Sequence, residues 1–119
     1  MSASFVVHRE QSGLFRFHLQ TENGERILFS ETYKEKRSAF VGITSIKKNS
    51  QDANRYVKKT AVDGRFYFLL KAANHEAIGR SSFFTTAQER DEVMDRVMVR
   101  APYGELKDTT RQYRKRKVA

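Results

Sequence analysis

Two stretches of the chain carry phenylalanine or leucine at every second position, and they resemble each other, although the intervening residues are polar in the first and less polar in the second. The apolar positions are Phe15, Phe17 and Leu19 in LFRFHLQ and Phe66, Phe68 and Leu70 in RFYFLLK. A period of two places alternate side chains on the same face of a β-strand. We therefore predict two strands, each burying these phenylalanine and leucine side chains in the core.

An offset of 51 residues, as from Gly13 to Gly64, aligns the two stretches and the sequence around them without a gap. The further identical pairs are Val6 and Val57, Asn23 and Asn74, Glu25 and Glu76, Ile27 and Ile78, and Ser30 and Ser81. Because the matches share one register and fall largely at alternate positions, we infer an internal repeat.

Turn residues flank the predicted strands in both copies. Gly13 and Gly64 precede them, in sequence contexts that tolerate positive φ, and Asn23-Gly24 is typical of a hairpin turn. In the second copy this dipeptide becomes Asn74-His75, so we expect Asn74 to carry the turn beside a less permissive residue. The strands RILFSE and AIGRSS follow these hairpin turns.

Each copy then becomes helical. In KEKRSAFVGITSIKKNS one face carries Ala39, Ile43, Ile46 and Lys47, and Gly42 would permit close packing on the sheet. In the second copy Thr86 and Glu89 form a predicted capping box, and Pro102 ends the helix. The predicted apolar stripe of this second helix is Ala87, Met94, Val97, Met98 and Ala101.

Together these elements predict two β-β-β-α(-β) repeats in one α+β domain. The repeats begin with strands at FVVHRE and RYVKKT, and ELKDTT at 105–110 would add a final strand. We expect one mainly antiparallel sheet with two helices packed on one face. The predicted domain is 1–110, with repeats at about 5–54 and 55–110, followed by a flexible basic tail at 111–119.

The sequence resembles the YegP-like family of small bacterial proteins over roughly residues 5–110. The resemblance rests on LFRFHLQTENGERILFSETY, on DGRFYFLLKAANHEAIGRSSFF and on AQERDEVMDRV. It implies paired β3αβ motifs that share one sheet and exchange their C-terminal strands, and it implies no particular activity. This chain departs from the pattern at the second helix, where Arg90 stands opposite Ala39 of the first repeat.

Composition narrows the function classes. The 119 residues contain no cysteine, which excludes disulfides, thiol nucleophiles and cysteine-bound zinc. We find no signal-peptide pattern and no apolar run near the roughly 20 residues of a membrane span, so we expect a cytoplasmic protein.

The net charge of +9 is concentrated at the C-terminus. Residues 107–119 hold six basic residues against Asp108, a net charge of +5. The tail residues Arg111, Arg114, Lys115, Arg116 and Lys117 could bind polyanions through counterion release, or could simply be solubilising. The sequence leaves both readings open.

No motif predicts a catalytic, metal or cofactor site. His8, His18 and His75 lack any ligand spacing and are expected to be surface or turn histidines. We expect solvated carboxylates at Glu25 and Glu76, after the hairpin turns. Ser30 and Ser81 lack a nucleophile elbow, so a capping or cross-strand hydrogen bond explains them better.

The solvent side of the central strands is the remaining candidate surface. It would carry Arg16, His18 and Gln20 from the first repeat and Arg65, Tyr67, Leu69 and Lys71 from the second. Basic and aromatic side chains on a sheet can bind single-stranded nucleic acid, but no RNP-type motif is present. A solvated face whose apolar members pack on a neighbouring segment is the favoured reading.

We therefore predict a non-enzymatic structural or protein-interaction module, monomeric because its two repeats pair internally. The alternative is a sequence-nonspecific nucleic-acid-binding protein that uses the basic tail and the basic and aromatic sheet face.

Overall fold

A computed structural model describes residues 2–110, so the predicted tail lies outside the described residues. The first repeat contributes β1 (Ser4–Arg9), β2 (Phe15–Gln20), β3 (Arg26–Phe29) and α1 (Lys36–Asn49). The second contributes β4 (Tyr56–Thr60), β5 (Phe66–Lys71), β6 (Ala77–Arg80), α2 (Ala87–Arg100) and β7 (Glu105–Asp108). Short 3₁₀ turns at Ala53–Arg55 and Ala101–Tyr103 lead into β4 and β7.

The strands form one sheet in the order β4-β5-β6-β3-β2-β1-β7. All neighbouring strands are antiparallel except β1 and β7, which are parallel, and the two halves join where Phe29 of β3 pairs with Arg80 of β6. The strand that follows each helix pairs in the other half of the sheet, because β4 pairs with β5 and β7 with β1. The predicted α+β class with exchanged strands is confirmed.

The core lies between the helices and one face of the sheet. Phe17, Leu19, Phe68 and Leu70 are buried as predicted, whereas Phe15 and Phe66 are half-buried at the start of their strands. The close packing expected at Gly42 is also present. A Cβ atom there would lie 2.5 Å from Tyr33 Oη and 3.2 Å from the Phe17 ring.

The second helix begins as predicted but faces the core differently. Thr86 and Glu89 form the complete capping box. Of the predicted stripe, Val97 and Ala101 are buried, but Ala87, Met94 and Met98 are only half-buried. Val93 and Arg90 are buried in their place, and the Arg90 guanidinium lies over the Phe66 ring at 5.4 Å from its centroid.

The hairpin turn of the second repeat corrects one prediction. His75, rather than Asn74, adopts the left-handed conformation, with φ of 71°, at the position that Gly24 fills in the first repeat with φ of 86°. Asn74 instead accepts a hydrogen bond from the Glu76 backbone N–H through its side chain, at 3.1 Å. Asparagine therefore stabilises the turn from the preceding position, as Asx turns do.

The recurring serines make the expected cross-strand hydrogen bonds. The hydroxyl of Ser30 accepts from the Phe17 backbone N–H at 2.9 Å, and that of Ser81 accepts from the Phe68 N–H at the same distance. Both bonds join adjacent strands of one repeat. Neither described helix is long and apolar enough to cross a membrane.

Candidate functional site

One face of the sheet carries the helices, and within residues 2–110 no helix or strand packs on the other, which we call the open face. The open face carries the side chains of β2 and β5 that point away from the helices. It also carries the side chains of the β3 and β6 residues that pair with them. These side chains are Arg16, His18, Gln20, Arg26, Phe29, Tyr67, Leu69, Lys71, Ala77 and Arg80.

Basic side chains converge near the middle of the open face. Three arginines and two histidines line a cavity of about 220 Å³, which we call the arginine cavity: Arg16, Arg26, Arg80, His8 and His18. The other described lining residues are apolar apart from one serine, and none carries a carboxylate. An adjoining cavity of about 290 Å³ shares two of the arginines and contains Glu31. Arg16 pairs with Glu10 at 3.3 Å, whereas Arg26 and Arg80 form no ion pair within residues 2–110. Positive charge that lacks a paired carboxylate favours an anionic ligand.

His18 is buried, which corrects the expectation of a surface histidine. It lies between Val6 of β1 and Phe29 of β3, and only 4% of its surface is exposed. Its Nε2 is 2.9 Å from Gln20 Oε1, while Nδ1 has no hydrogen-bond partner among the described residues. Burial lowers the pKa of His18, and the nearby Arg26 charge lowers it further, so the imidazole is neutral at pH 7.

The aromatic part of the open face is built around Phe83, which follows β6. The Tyr67 ring meets Phe83 edge-on, with ring centroids 5.1 Å apart. The guanidinium groups of Arg65 and Arg80 lie over the Phe83 ring at 4.6 and 5.4 Å from its centroid. Arg65 also pairs with Asp63 at 2.8 Å. This part of the face is therefore an arginine–aromatic cluster.

The structure brings part of the predicted surface together. Arg16 and His18 line the arginine cavity, Arg65 and Tyr67 meet at Phe83, and Lys71 lies further along β5 opposite Ala77. The predicted tail residues lie outside the described residues: Arg111, Arg114, Lys115, Arg116 and Lys117. The sequence reasoning missed four contributors: Arg26, Phe29, Arg80 and Phe83.

The two repeated glutamates have different surroundings. Glu25 and Glu76 are both exposed, as expected after a turn. Glu25, however, forms a two-pronged ion pair with Arg96 of α2, with N–O distances of 2.7 and 2.9 Å. The bond to Arg96 lowers the pKa of Glu25. The Glu76 side chain makes no hydrogen bond or ion pair within the described part of the chain.

Two further contacts bear on chemistry and assembly. Lys36 at the start of α1 pairs with Asp108 of β7 at 3.0 Å, which fixes the exchanged strand to the first repeat. Within residues 2–110, no three histidine, aspartate or glutamate side chains gather closely enough to hold a metal ion.

The architecture defines a class: small α+β proteins built from two β3αβ repeats that share one sheet. The family model described as Domain of unknown function (DUF1508) matches residues 10–56 and 61–108, one match for each repeat. The chain belongs to this family. The resemblance to YegP-like proteins is thereby confirmed, and the function of the family is not known.

The similarity to known relatives covers nearly the whole chain. UPF0339 protein YegP of Escherichia coli (strain K12) is 44% identical over 110 residues, which are 92% of this chain and 100% of that protein. The solution NMR structure of UPF0339 protein SO3888 from Shewanella oneidensis has a TM-score of 0.87 at 38% identity, covering 92% and 93% of the two chains. That of yegP from E. coli also has a TM-score of 0.87, at 44% identity, covering 92% and 95%.

Proposed function

We propose that the protein is a non-enzymatic protein-interaction module whose open face binds an acidic segment of a partner protein. The observation that carries this proposal is the arginine cavity, where the three arginines Arg16, Arg26 and Arg80 meet and no described lining residue is acidic. Guanidinium groups bind carboxylates through paired hydrogen bonds, and arginine is enriched at protein interfaces. The neighbouring Tyr67 and Phe83 supply apolar surface beside the charge.

Single-stranded nucleic acid is the second candidate ligand. The basic and aromatic composition of the open face favours it, and the tail basic residues from Arg111 to Lys117 would add phosphate contacts. A base that stacked on Phe83 would, however, have to displace the guanidinium groups of Arg65 and Arg80 from that ring. A carboxylate needs no free aromatic ring, which is why we place the protein partner first.

The test compares a labelled peptide of alternating glutamate and aspartate with a labelled single-stranded oligonucleotide across a salt series. In the test variant, Arg26→Gln and Arg80→Gln are combined. The matched control is Arg37→Gln with Lys48→Gln, which removes the same charge from exposed positions of α1, on the other side of the sheet. We expect the peptide affinity to fall by at least about fivefold in the test variant and by less than about twofold in the control.

The outcomes separate the two candidates. Tighter binding of the oligonucleotide than of the peptide, with a salt slope that flattens when residues 111–119 are deleted, would favour the nucleic-acid function. Equal losses in the test and control variants would remove the arginine cavity from the proposal. If neither ligand bound saturably at low salt, the open face would not be a polyanion-binding surface.

We also propose that the module acts as a cytoplasmic monomer. The exchanged strands already join the two apolar halves, and Lys58 and Lys59 on the edge strand β4 disfavour pairing with a second sheet. Sedimentation equilibrium tests the monomer, and a concentration-independent dimer would contradict it.

A further inference from the structure

Each helix forms a groove with the hairpin of the other repeat, so the internal repeat creates two equivalent grooves. The α2 groove, of about 410 Å³, lies between α2 and the β2–β3 hairpin and includes Glu25, Phe84, Val93 and Arg96. The α1 groove, of about 390 Å³, lies between α1 and the β5–β6 hairpin. At the same repeat positions it has Glu76, Tyr33, Gly42 and Ser45.

The α2 groove contains an arginine that the chain itself supplies. The two terminal guanidinium nitrogens of Arg96, Nη1 and Nη2, donate to the two carboxylate oxygens of Glu25, at 2.7 and 2.9 Å. This is the planar two-pronged geometry that arginine forms with carboxylates and lysine cannot reproduce. The pair joins α2 to the hairpin of the first repeat.

The α1 groove has the same carboxylate but no arginine to pair with it. Ser45 stands where α2 has Arg96, and its side chain is too short to form such a pair with Glu76. The Glu76 carboxylate and the Tyr33 hydroxyl have no hydrogen-bond partner within residues 2–110. Gly42 stands where α2 has Val93, and the Tyr33 hydroxyl lies against it.

We propose that the α1 groove binds an arginine side chain presented by a partner protein. The guanidinium would pair with Glu76 as Arg96 pairs with Glu25, and the Tyr33 and Ser45 hydroxyls can accept its remaining N–H groups. The aliphatic part of the side chain would cover Val41, which is 63% exposed, and Ile78. This site is separate from the open face and does not depend on the function proposed for it.

The groove's charge is compatible with a cation. Glu31 and Glu76 line it together with the single basic residue Arg37, so the described lining has a net negative charge. This contrasts with the basic arginine cavity on the other side of the sheet. A positively charged side chain therefore has an electrostatic reason to select the α1 groove.

An NMR titration of the full chain tests the site with a short blocked peptide that contains one central arginine. We expect saturable shifts of the Ser45, Asn74 and Glu76 amides, and binding at least about fivefold weaker for the same peptide with lysine. Glu76→Gln should weaken arginine-peptide binding to a similar extent. Glu105→Gln, an exposed glutamate on β7, is the matched control and should leave it unchanged.

A second variant supplies the arginine in cis. Ser45→Arg should reproduce the Arg96–Glu25 pair, raise Tm and abolish binding of the arginine peptide. Adding Glu76→Gln should remove the gain in Tm, which shows that the new arginine acts through that carboxylate. The combined Arg26→Gln and Arg80→Gln variant should still bind the arginine peptide, so failure of the open-face proposal leaves this one testable.

Three results would overturn the proposal. The first is equal binding of the arginine and lysine peptides, and the second is peptide-induced shifts confined to other surfaces. The third is a change in the Ser45 and Glu76 amides when residues 111–119 are deleted, because it would identify the chain's own tail as the occupant.

Discussion

Replacing Ser81 with alanine tests the hydrogen-bond arrangement that the two repeats share. Ser81 is completely buried, and its hydroxyl accepts from the Phe68 N–H at 2.9 Å while donating to the Ser82 carbonyl at 2.8 Å. Ser30 repeats this arrangement with Phe17 and Glu31, at 2.9 and 2.7 Å. Alanine would leave one amide and one carbonyl without these partners.

The expected cost follows from what is left unpaired. A buried polar group that loses its hydrogen-bond partner costs about 1–3 kcal/mol, and carbonyls tolerate the loss better than amides. We therefore expect Ser81→Ala to lower the free energy of unfolding by about 2–4 kcal/mol. At roughly 4 °C per kcal/mol for a domain of this size, Tm should fall by roughly 8–16 °C.

Urea unfolding followed by circular dichroism measures this cost. Ser82→Ala is the matched control, because Ser82 is half-buried and its hydroxyl makes no hydrogen bond within residues 2–110. The control should stay within about 0.5 kcal/mol of the parent protein. Ser30→Ala should behave like Ser81→Ala. If Ser81→Ala were as stable as its control, the hydroxyl would not be a structural hydrogen-bonding group and the reasoning would fail.

Three further predictions concern the core, pH and the repeat. Phe17→Ala and Phe68→Ala should each cost about 3–5 kcal/mol and shift one shared thermal transition, and an unchanged Tm would contradict the assigned core. Burial and the Arg26 charge lower the pKa of His18 in the folded protein below 6.5. As the pH drops below about 6.5, His18 is therefore protonated more readily in the unfolded chain, and the free energy of unfolding falls. His18→Asn should flatten this dependence in urea unfolding, and an identical pH profile would refute the assignment. Residues 1–50 alone should be unfolded or dimeric by circular dichroism and sedimentation, and a stable folded monomer would contradict the shared sheet.

The repeat and the strands could be predicted because burial imposes their pattern directly. Phe17, Leu19, Phe68 and Leu70 stand at every second position of their strands, and all four are buried under the helices. Each position depends only on its own strand having one apolar face. A local pattern therefore predicts them without knowledge of which strands are neighbours.

The face of α2 could not be predicted in the same way. A periodicity argument treats arginine as polar, yet Arg90 is buried with its guanidinium over the Phe66 ring. Long basic side chains can bury their apolar stems and their planar heads against aromatic rings. A stripe chosen from apolar residues alone therefore omits Arg90.

The arginine cavity depends on information that no single segment contains. Arg26 and Arg80 belong to strands of four residues, and register shifts in the β2–β3 and β5–β6 pairings break the simple alternation. Arg80 enters the cavity only because β6 pairs with β3 across the centre of the sheet. His18 is likewise buried because β1 and β3 lie on either side of it and bring Val6 and Phe29 beside it.

The positions at which the two repeats differ are the best guide to where binding sites arose. Ser30 and Ser81 show that the two halves keep the same side chain where it makes the same bond to the backbone. The two halves differ where Ser45 of the first repeat stands opposite Arg96 of the second. The α2 groove therefore holds the Arg96–Glu25 ion pair, whereas the α1 groove leaves Glu76 unpaired within residues 2–110. A duplicated fold can thus keep one copy of a contact for stability and leave the other to bind a partner.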